Sequence, residues 1–564
     1  MTADSPAWAE SYAPGVPLRL DYPDATVLDL FERSAADHPD APAMDFMGRT
    51  TTYGQTADAV SRVARGLRDL GVGAGDNVAL VMPNCPQNVI AFLAVLRLGA
   101  TVVQHNPLYT AAELRAPFLD HGARVAVVWD KVVPTVNMLR GDTALKHVVA
   151  VDMTAALPWT KRLALRLPIA KARASRGQLT GPAPDAIPWT QLASSEPLDS
   201  GHPRPGVDDV ALMLYTSGTT GVPKGVPLRH RNLVANVTQG RAWVPGLTPG
   251  TETFLVALPL FHAYGVTVSA LLGLALAARL VLLPKPEISL IMAEIKRRVP
   301  TFVPAVPPLY RRIVDEAERT GTSIRGIAYS LSGAMPLTAE LIDRWEAATG
   351  GLLVEGYGLT ETSPVVVGNP MSTQRRPGSI GVPFPDVQVR VADPDDPSVD
   401  VPLGERGELL VRGPQVFDGY RGMPEETAAV FHDGWFRTGD VVTMAADGFL
   451  TIVDRIKEVV ITGGFNVYPS EVEDVLRRHP GVADAAVVGL PHGDAGEQVV
   501  AAVVPAESGA PSSEELRDHC HERLTGYKVP RKFYVVDELP TNAMGKVQRR
   551  EVAAQLRDGT PREA

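Results

Sequence analysis

The sequence predicts an α/β protein built mainly on parallel sheets, followed by a smaller α+β unit. Three observations predict it. Short β-branched runs alternate with helical patterns over most of the chain, the rhythm of βαβ units. Those runs are mainly apolar rather than alternating, as strands covered by helices on both faces are. The rhythm then changes after residue 455, where a capped helix is followed by two adjacent strands. With 564 residues the chain exceeds one hydrophobic core, and roughly three or four folding units are expected.

Taken in order, "VALVMP" (78–83), "TVVQHNP" (101–107), "VAVVWD" (125–130) and "HVVAVD" (147–152) read as buried strands, with "PQNVIAFLAVLRLG" (86–99) a helix between the first two. The stretch "LPWTKRLALRLPIAKARASRG" (157–177) carries six basic residues and no acid. The favoured reading is a solvated surface connection; the sharper one is an interfacial patch against anionic lipid. Pro158 and Pro168 limit any helix there. The most apolar run, Phe254 to Pro284, is broken by Pro259 and His262. It is read as a strand, a loop and a core helix, because the 16 residues from Ala263 to Ala278 are short for a membrane span. Beyond a boundary near Asp454–Arg455, "EVVIT" (458–462) is a strand, Ser470 with Glu473 reads as a capping box, "ADAAVVGLP" and "EQVVAAVVP" pair as strands, and Ser512 with Glu515 caps another helix.

Composition excludes some functions. The chain is 45% hydrophobic and 21% charged, with a net charge of −10. It lacks the basic footprint that nucleic acid requires. Cys85 and Cys520 are its only cysteines, so neither a disulfide framework nor a thiolate metal site is expected, and a reducing, cytoplasmic setting fits. The first residues show no charged-then-apolar signal pattern.

The chemistry starts at "YTSGTTGVPKG" (215–225), directly after the apolar run "VALML". A strand running into a Gly- and Thr-rich turn lets backbone N–H groups and hydroxyls approach an anion, and Lys224 adds a positive charge. Phosphate is the natural guest, although such loops are often only surface. The nucleoside-triphosphatase pattern G-x-x-x-x-G-K-[ST] fails, since Pro223 precedes Lys224 and Gly225 follows it.

Further motifs follow in order: "FHAYG" (261–265), "SGAMPL" (332–337), "EGYGLTET" (355–362), "GELLVRGPQVFDGY" (407–420), "DGWFRTGD" (433–440), "DRIKEVVITGGFNVYPSEVE" (454–473) and "PTNAMGKVQRR" (540–550). Together, from about residue 20 to 555, they resemble the adenylate-forming enzymes, the superfamily of acyl-CoA synthetases, luciferases and adenylation domains. The resemblance implies a large N-terminal domain of doubly wound sheets with a β-barrel-like subdomain (1–454) and a small mobile C-terminal α+β domain (455–564). It also implies the reaction: a carboxylate attacks the α-phosphorus of ATP, and a thiol then displaces AMP.

Residue by residue, the resemblance implies that Thr216, Ser217, Gly218, Thr219, Thr220, Gly221 and Lys224 hold the triphosphate. Glu361, with Thr216, would bind Mg²⁺, and Thr360 would touch the α-phosphate. Tyr357 would stack on adenine among Gly333, Ala334, Glu355, Gly356 and Gly358. Asp440 would accept the ribose hydroxyls beside Arg455, and Lys546 would meet the attacking carboxylate. His262, which alone reads as a core histidine, would lie between acyl pocket and nucleotide. Lys457 would be a hinge, and Gly463 and Gly464 would line the path of coenzyme A. Singly, each of these residues has a bland structural reading; the ordered set outweighs it.

The substrate is expected to be a fatty acid. "HNPLYTAAEL" (105–114) and "GSIGVP" (378–383) look most like bacterial long-chain fatty-acid–CoA ligases, and no charge in "HAYGVTVSALLGLALAARL" before its closing Arg279 awaits an amino-acid ammonium. The signature at 433–457 departs at Arg437, Val442, Met444 and Ile456, which loosens chain length. Rival readings are a fatty acyl-AMP ligase loading a carrier protein, a ligase for an aryl or medium-chain acid, a luciferase-like oxidase, and an inactive fatty-acid-binding scaffold. Peripheral membrane association and the oligomeric state, monomer or homodimer, stay open.

Overall fold

The computed structural model describes residues 6–216, 223–462, 465–492, 497–507, 509–524, 526–542, 544–557, 559 and 562–563. It contains two compact units, Met1–Gln388 with Arg412–Phe431, and Val389–Val411 with His432–Ala564.

The first unit is α/β. Among the described residues it holds a seven-stranded and a nine-stranded sheet. In the seven-stranded sheet Asn77–Val81 lies between Thr101–His105 and Val125–Trp129, parallel to both, with His147–Val151 parallel beyond. These are the four runs read from sequence, each trimmed at its polar or proline end. Parallel strands need a crossover, and Pro86–Arg97 supplies one, with Pro86 at its first position. Proline fits there because that N–H has no helical partner. Every residue from Pro86 to Leu96 is buried, so the helix is apolar all round. Burial of each Val, Leu or Phe contributes ~1.5–3 kcal/mol.

The sheet ends in Val210–Thr216, which pairs antiparallel with Lys224–Arg229 and sets Thr216 opposite Lys224. The predicted phosphate residues Ser217, Gly218, Thr219, Thr220 and Gly221 lie outside the described residues, as do Gly463 and Gly464. The nine-stranded sheet carries Thr253–Val256, Arg279–Leu282, Phe302–Ala305, Tyr329–Ser332 and Leu352–Gly358 in parallel. Its core packs Leu255, Val281, Val303 and Leu353 on Tyr310 and Trp345. The apolar run at 254–284 resolves into the expected strand, turn and helix. The helix opens as a π-helix, Tyr264–Leu271, a form concentrated at functional sites. No helix of the described residues is long and apolar enough to cross a membrane.

The second unit is antiparallel near its start, with Trp435–Met444 between Gly407–Arg412 and Leu450–Arg455. The hairpin Val482–Pro491 with Glu497–Pro505 follows, and Lys532–Val535 pairs parallel to its second strand. The compact units part differently from 1–454 and 455–564, because the strand ending at Arg455 is paired with Trp435–Met444 and holds 432–454 in the second unit. The capping box at Ser512 and Glu515 forms at the helix Ser513–His521. The one read at Ser470 does not: the helix Pro469–Arg477 begins earlier, with Tyr468 at its cap. Glu473 is drawn away by Arg549, which donates from Nε and Nη2 at 2.9 and 2.8 Å.

Candidate active site

In the first unit the antiparallel pairing sets Lys224 opposite Thr216. Its Nζ lies 4.9 Å from the centre of the Tyr420 ring, a cation–π distance. The Tyr420 hydroxyl donates to Glu361 Oε1 at 2.9 Å, and the Phe417 N–H donates to the Glu361 carbonyl at 2.8 Å. Burial, then the Glu361 charge, raises the Tyr420 pKa, so the phenol stays a donor. Lys224, Tyr420 and Glu361 form one chain of contacts, which places an ammonium and a buried carboxylate on either side of a tyrosine. Tyr420 was given no role by sequence reasoning. It stands at the end of "FDGY", but only the fold brings it to Glu361.

The two strands are braced where Tyr215 pairs with Gly225. Tyr215 donates its hydroxyl to Asp120 Oδ2 at 2.6 Å, and the Arg421 N–H donates to the Gly225 carbonyl at 2.9 Å. Behind it, His105 and His121 face each other with their Nε2 atoms 3.1 Å apart. Burial lowers both pKa values, that of His105 to about 3, so the two rings pack as neutral groups.

The predicted adenine residues gather at the ends of neighbouring parallel strands. Glu355 follows from the register that pairs it with Ser332. Burial pushes its carboxyl up to about 7, and its Oε1 accepts the Leu337 N–H at 3.1 Å. Ala334 sits at φ +69°, a conformation non-glycine residues adopt only when the surroundings impose it. Tyr357 is buried at 9% exposure. Gly358 is required: a Cβ there would sit 1.8 Å from the Pro364 carbonyl oxygen. Thr360 and Glu361 lie on the short 3-10 turn that follows.

His262 ends the turn before the π-helix. The Tyr264 N–H donates to its Nδ1 at 3.3 Å, and burial lowers its pKa to about 4. The ring is therefore neutral near pH 7 with its proton on Nε2, a donor. The first unit also holds a slot lined by Trp243, Val244, Val268, Leu272, Phe302 and Phe384. Its polar lining is Asn236 and Thr267. Asn236 spends its amide on Gln239 and on both polar groups of Val365. Thr267, 1% exposed, has no hydrogen-bond partner for its hydroxyl among the described residues.

In the second unit the register pairs Asp440 with Arg455, and Arg455 Nε donates to Asp440 Oδ1 at 2.8 Å. Lys546 stands close enough to feel both: burial first, then the Arg455 charge, lowers its pKa, against Glu458 and Asp440. Its loop is closed by Asn542, whose side chain accepts the Lys546 N–H at 3.0 Å and whose N–H donates back at 2.9 Å. Lys457 lies on the turn Ile456–Glu458. The structure thus groups Thr216, Lys224, Glu361, His262 and the 333–360 residues in one unit, and Asp440, Arg455 and Lys546 in the other.

Two family models match the chain. The AMP-binding enzyme family matches residues 31–421, and the AMP-binding enzyme C-terminal domain matches 471–546. A long-chain-fatty-acid–CoA ligase of Yersinia pestis is 39% identical over 553 residues, 97% of each chain. A feruloyl-CoA synthase of an Amycolatopsis species is 35% identical over 506 residues, 90% of this chain and 94% of its own. The ATP-bound MatB of Rhodopseudomonas palustris superposes with a TM-score of 0.80 at 30% identity, covering 95% of this chain and 99% of that one.

Proposed function

The chain belongs to the AMP-binding enzyme family, and from that premise we propose that it is a fatty-acid–CoA ligase for medium to long chains. An oxygen of the acid's carboxylate attacks the α-phosphorus of ATP and pyrophosphate leaves. The thiol of coenzyme A then attacks the acyl carbon, loses its proton, and AMP leaves. Neither step needs an enzyme nucleophile; both need positioning and charge neutralisation.

Lys224 and Thr216 serve the phosphates, with Ser217, Gly218, Thr219, Thr220 and Gly221 between them. Thr360 serves the α-phosphate. Asp440 accepts the ribose hydroxyls, oriented by Arg455. Tyr357 stacks on adenine, framed by Gly333, Ala334, Glu355, Gly356 and Gly358. Lys546 neutralises the carboxylate as it attacks, and a proton held below the usual lysine pKa is easily shared. His262 donates from Nε2 at the acyl end. Glu361 suits Mg²⁺: it is a buried hard-oxygen ligand, and the cation takes few protein ligands when phosphates supply the rest. When bound, Mg²⁺ would neutralise charge on the departing pyrophosphate. Lys457 remains a hinge proposal, and Gly463 and Gly464 a proposal for passage of the thiol.

The observation that carries the substrate is the 39% identity over 97% of each chain to a long-chain-fatty-acid–CoA ligase, and it is supported by the apolar slot. No charged side chain lines it and its one amide is already satisfied, so an ammonium or second carboxylate would be buried unpaired at a cost of several kcal/mol. A hydrocarbon chain bears no such cost. The aromatic part of the lining, Trp243, Phe302 and Phe384, favours an aryl acid as second reading. One assay tests both. The protein is incubated with ATP, Mg²⁺, coenzyme A and a mixture of acids from butyrate to stearate plus benzoate and coumarate, and products are identified by mass spectrometry. Acyl-CoA from laurate to stearate is expected. Preference for coumarate would move the assignment to the aryl reading. Acyl-AMP without acyl-CoA would overturn coenzyme A as acceptor and point to a carrier protein.

A further inference from the structure

The segment 157–177 takes no part in the site. Its two short helices, Trp159–Ala164 and Ala170–Leu179, have Ala172 as their one buried side chain. Trp159 is 75% exposed, Leu163 59%, Leu167 50% and Ile169 52%. Four of the thirteen large exposed apolar side chains of the described residues therefore fall within one short stretch. Trp159 and Leu163 share a helix face, being four residues apart.

Around them stand Arg162, Arg166, Lys171, Arg173 and Arg176, none of which makes an ion pair among the described residues. The segment holds no acid, while the whole chain is at −10. The platform is fixed to the first unit: Lys161 Nζ donates to the Met47 carbonyl at 2.9 Å, and Arg49 Nη1 to the Ala155 carbonyl at 2.8 Å. A solvated connection accounts for the charges and leaves four clustered apolar side chains in water unexplained. Apolar side chains ringed by unpaired cations match a surface that is anionic outside and hydrocarbon within.

We propose that residues 157–177 seat the first unit on an anionic lipid surface. Trp159, Leu163, Leu167 and Ile169 enter the boundary between headgroups and acyl chains, and the five unpaired cations meet the headgroups. The structure thereby favours the interfacial reading over the solvated connection. The proposal is independent of the acid activated, and activity on a short water-soluble acid serves as its control.

The test uses the full chain and vesicles of phosphatidylcholine, alone or mixed with phosphatidylglycerol. Cys85 and Cys520 are buried, so an environment-sensitive dye on Leu163→Cys reports that position alone. Expected are co-sedimentation with the anionic vesicles, weakened by salt, and a blue shift of the dye. Leu163→Glu with Leu167→Glu should weaken vesicle binding on the order of tenfold or more. Arg162→Gln with Arg166→Gln and Arg173→Gln should weaken it on the order of a hundredfold. Both variants should unfold at the wild-type temperature. Failure of the wild type to bind anionic vesicles at low salt would overturn the proposal, as would wild-type binding by either variant. Equal binding to heparin without a blue shift would also overturn it, by reducing the segment to a polyanion site.

Discussion

Lys546 is held where its charge is costly, beside Arg455 and within reach of Asp440. That cost is offset when an anion arrives, so its loss should fall on the step in which a carboxylate attacks. Lys546→Ala is expected to slow acyl-AMP formation by orders of magnitude while sparing thioester formation from supplied acyl-AMP. Equal loss in both half-reactions would sink that role. Thr267 illustrates the opposite economy. Its hydroxyl is buried in an apolar slot without a partner among the described residues, and a buried unsatisfied group costs about 1 kcal/mol or more. The near-isosteric Thr267→Val should raise the stability of the first unit by about 1 kcal/mol in urea titration; a fall would reveal a partner for the hydroxyl. Lys546, Asp440 and Arg455 were singled out in the sequence because each sits in an ordered motif, and the fold brings the three near one another. Tyr420 was quoted in a motif yet given no role, since its partner Glu361 lies 59 residues away and only the sheet returns the chain to it.

Elements were legible where one face or both are decided by burial. The four parallel strands and their crossover helix read correctly because strands covered on both sides are dominated by apolar β-branched residues. The capping box at Ser470 failed because a local motif competed with a distant cation: Arg549 takes Glu473 from 76 residues away and reaches Ser470 Oγ at 3.1 Å. The same arginine pairs with Glu458, on the turn that follows Arg455. Arg549 therefore ties the final helix, Arg549–Arg557, to the helix Pro469–Arg477 and to that turn. Glu473 is 3% exposed, and without Arg549 it would keep only the longer pair with Arg477 at 3.5 Å and the Val487 N–H, so that loss should be expensive. Arg549→Ala is expected to destabilise the second unit by about 3 kcal/mol, and Glu473→Gln in the same chain to recover part of the loss. Additive losses in a thermal-denaturation cycle would show that the pair does not act as one.

For the molecule as a whole, the histidines whose pKa burial lowers most lie in the first unit, and they set how it answers acid. Burial lowers His105 to about 3, His230 and His262 to about 4, and His121 well below the usual value. Unfolded, each would titrate near 6.5. Between the folded and unfolded values the unfolded chain binds more protons, so stability falls as pH drops from about 6.5 towards about 4. Glu355 acts in the other sense. Its folded value, about 7, lies above the ordinary carboxylate value, so the folded state keeps a proton that the unfolded state releases, and stability falls as pH rises through that window. Asp130, pushed up to about 6 by burial, acts with Glu355, so four histidines oppose two carboxyls below pH 6.5 and prevail; above it Glu355 is left, and the decline towards pH 7 is shallow. The urea midpoint of the first unit, followed by the buried Trp243 and Trp345, should accordingly be lower at pH 5 than at pH 7. His230 gives the sharpest check, because its Nδ1 accepts the Val27 N–H at 3.1 Å and an asparagine oxygen can accept the same bond. His230→Asn should keep the fold and reduce the proton uptake on unfolding by about one in this window. An unchanged uptake would mean that His230 is already charged in the folded protein.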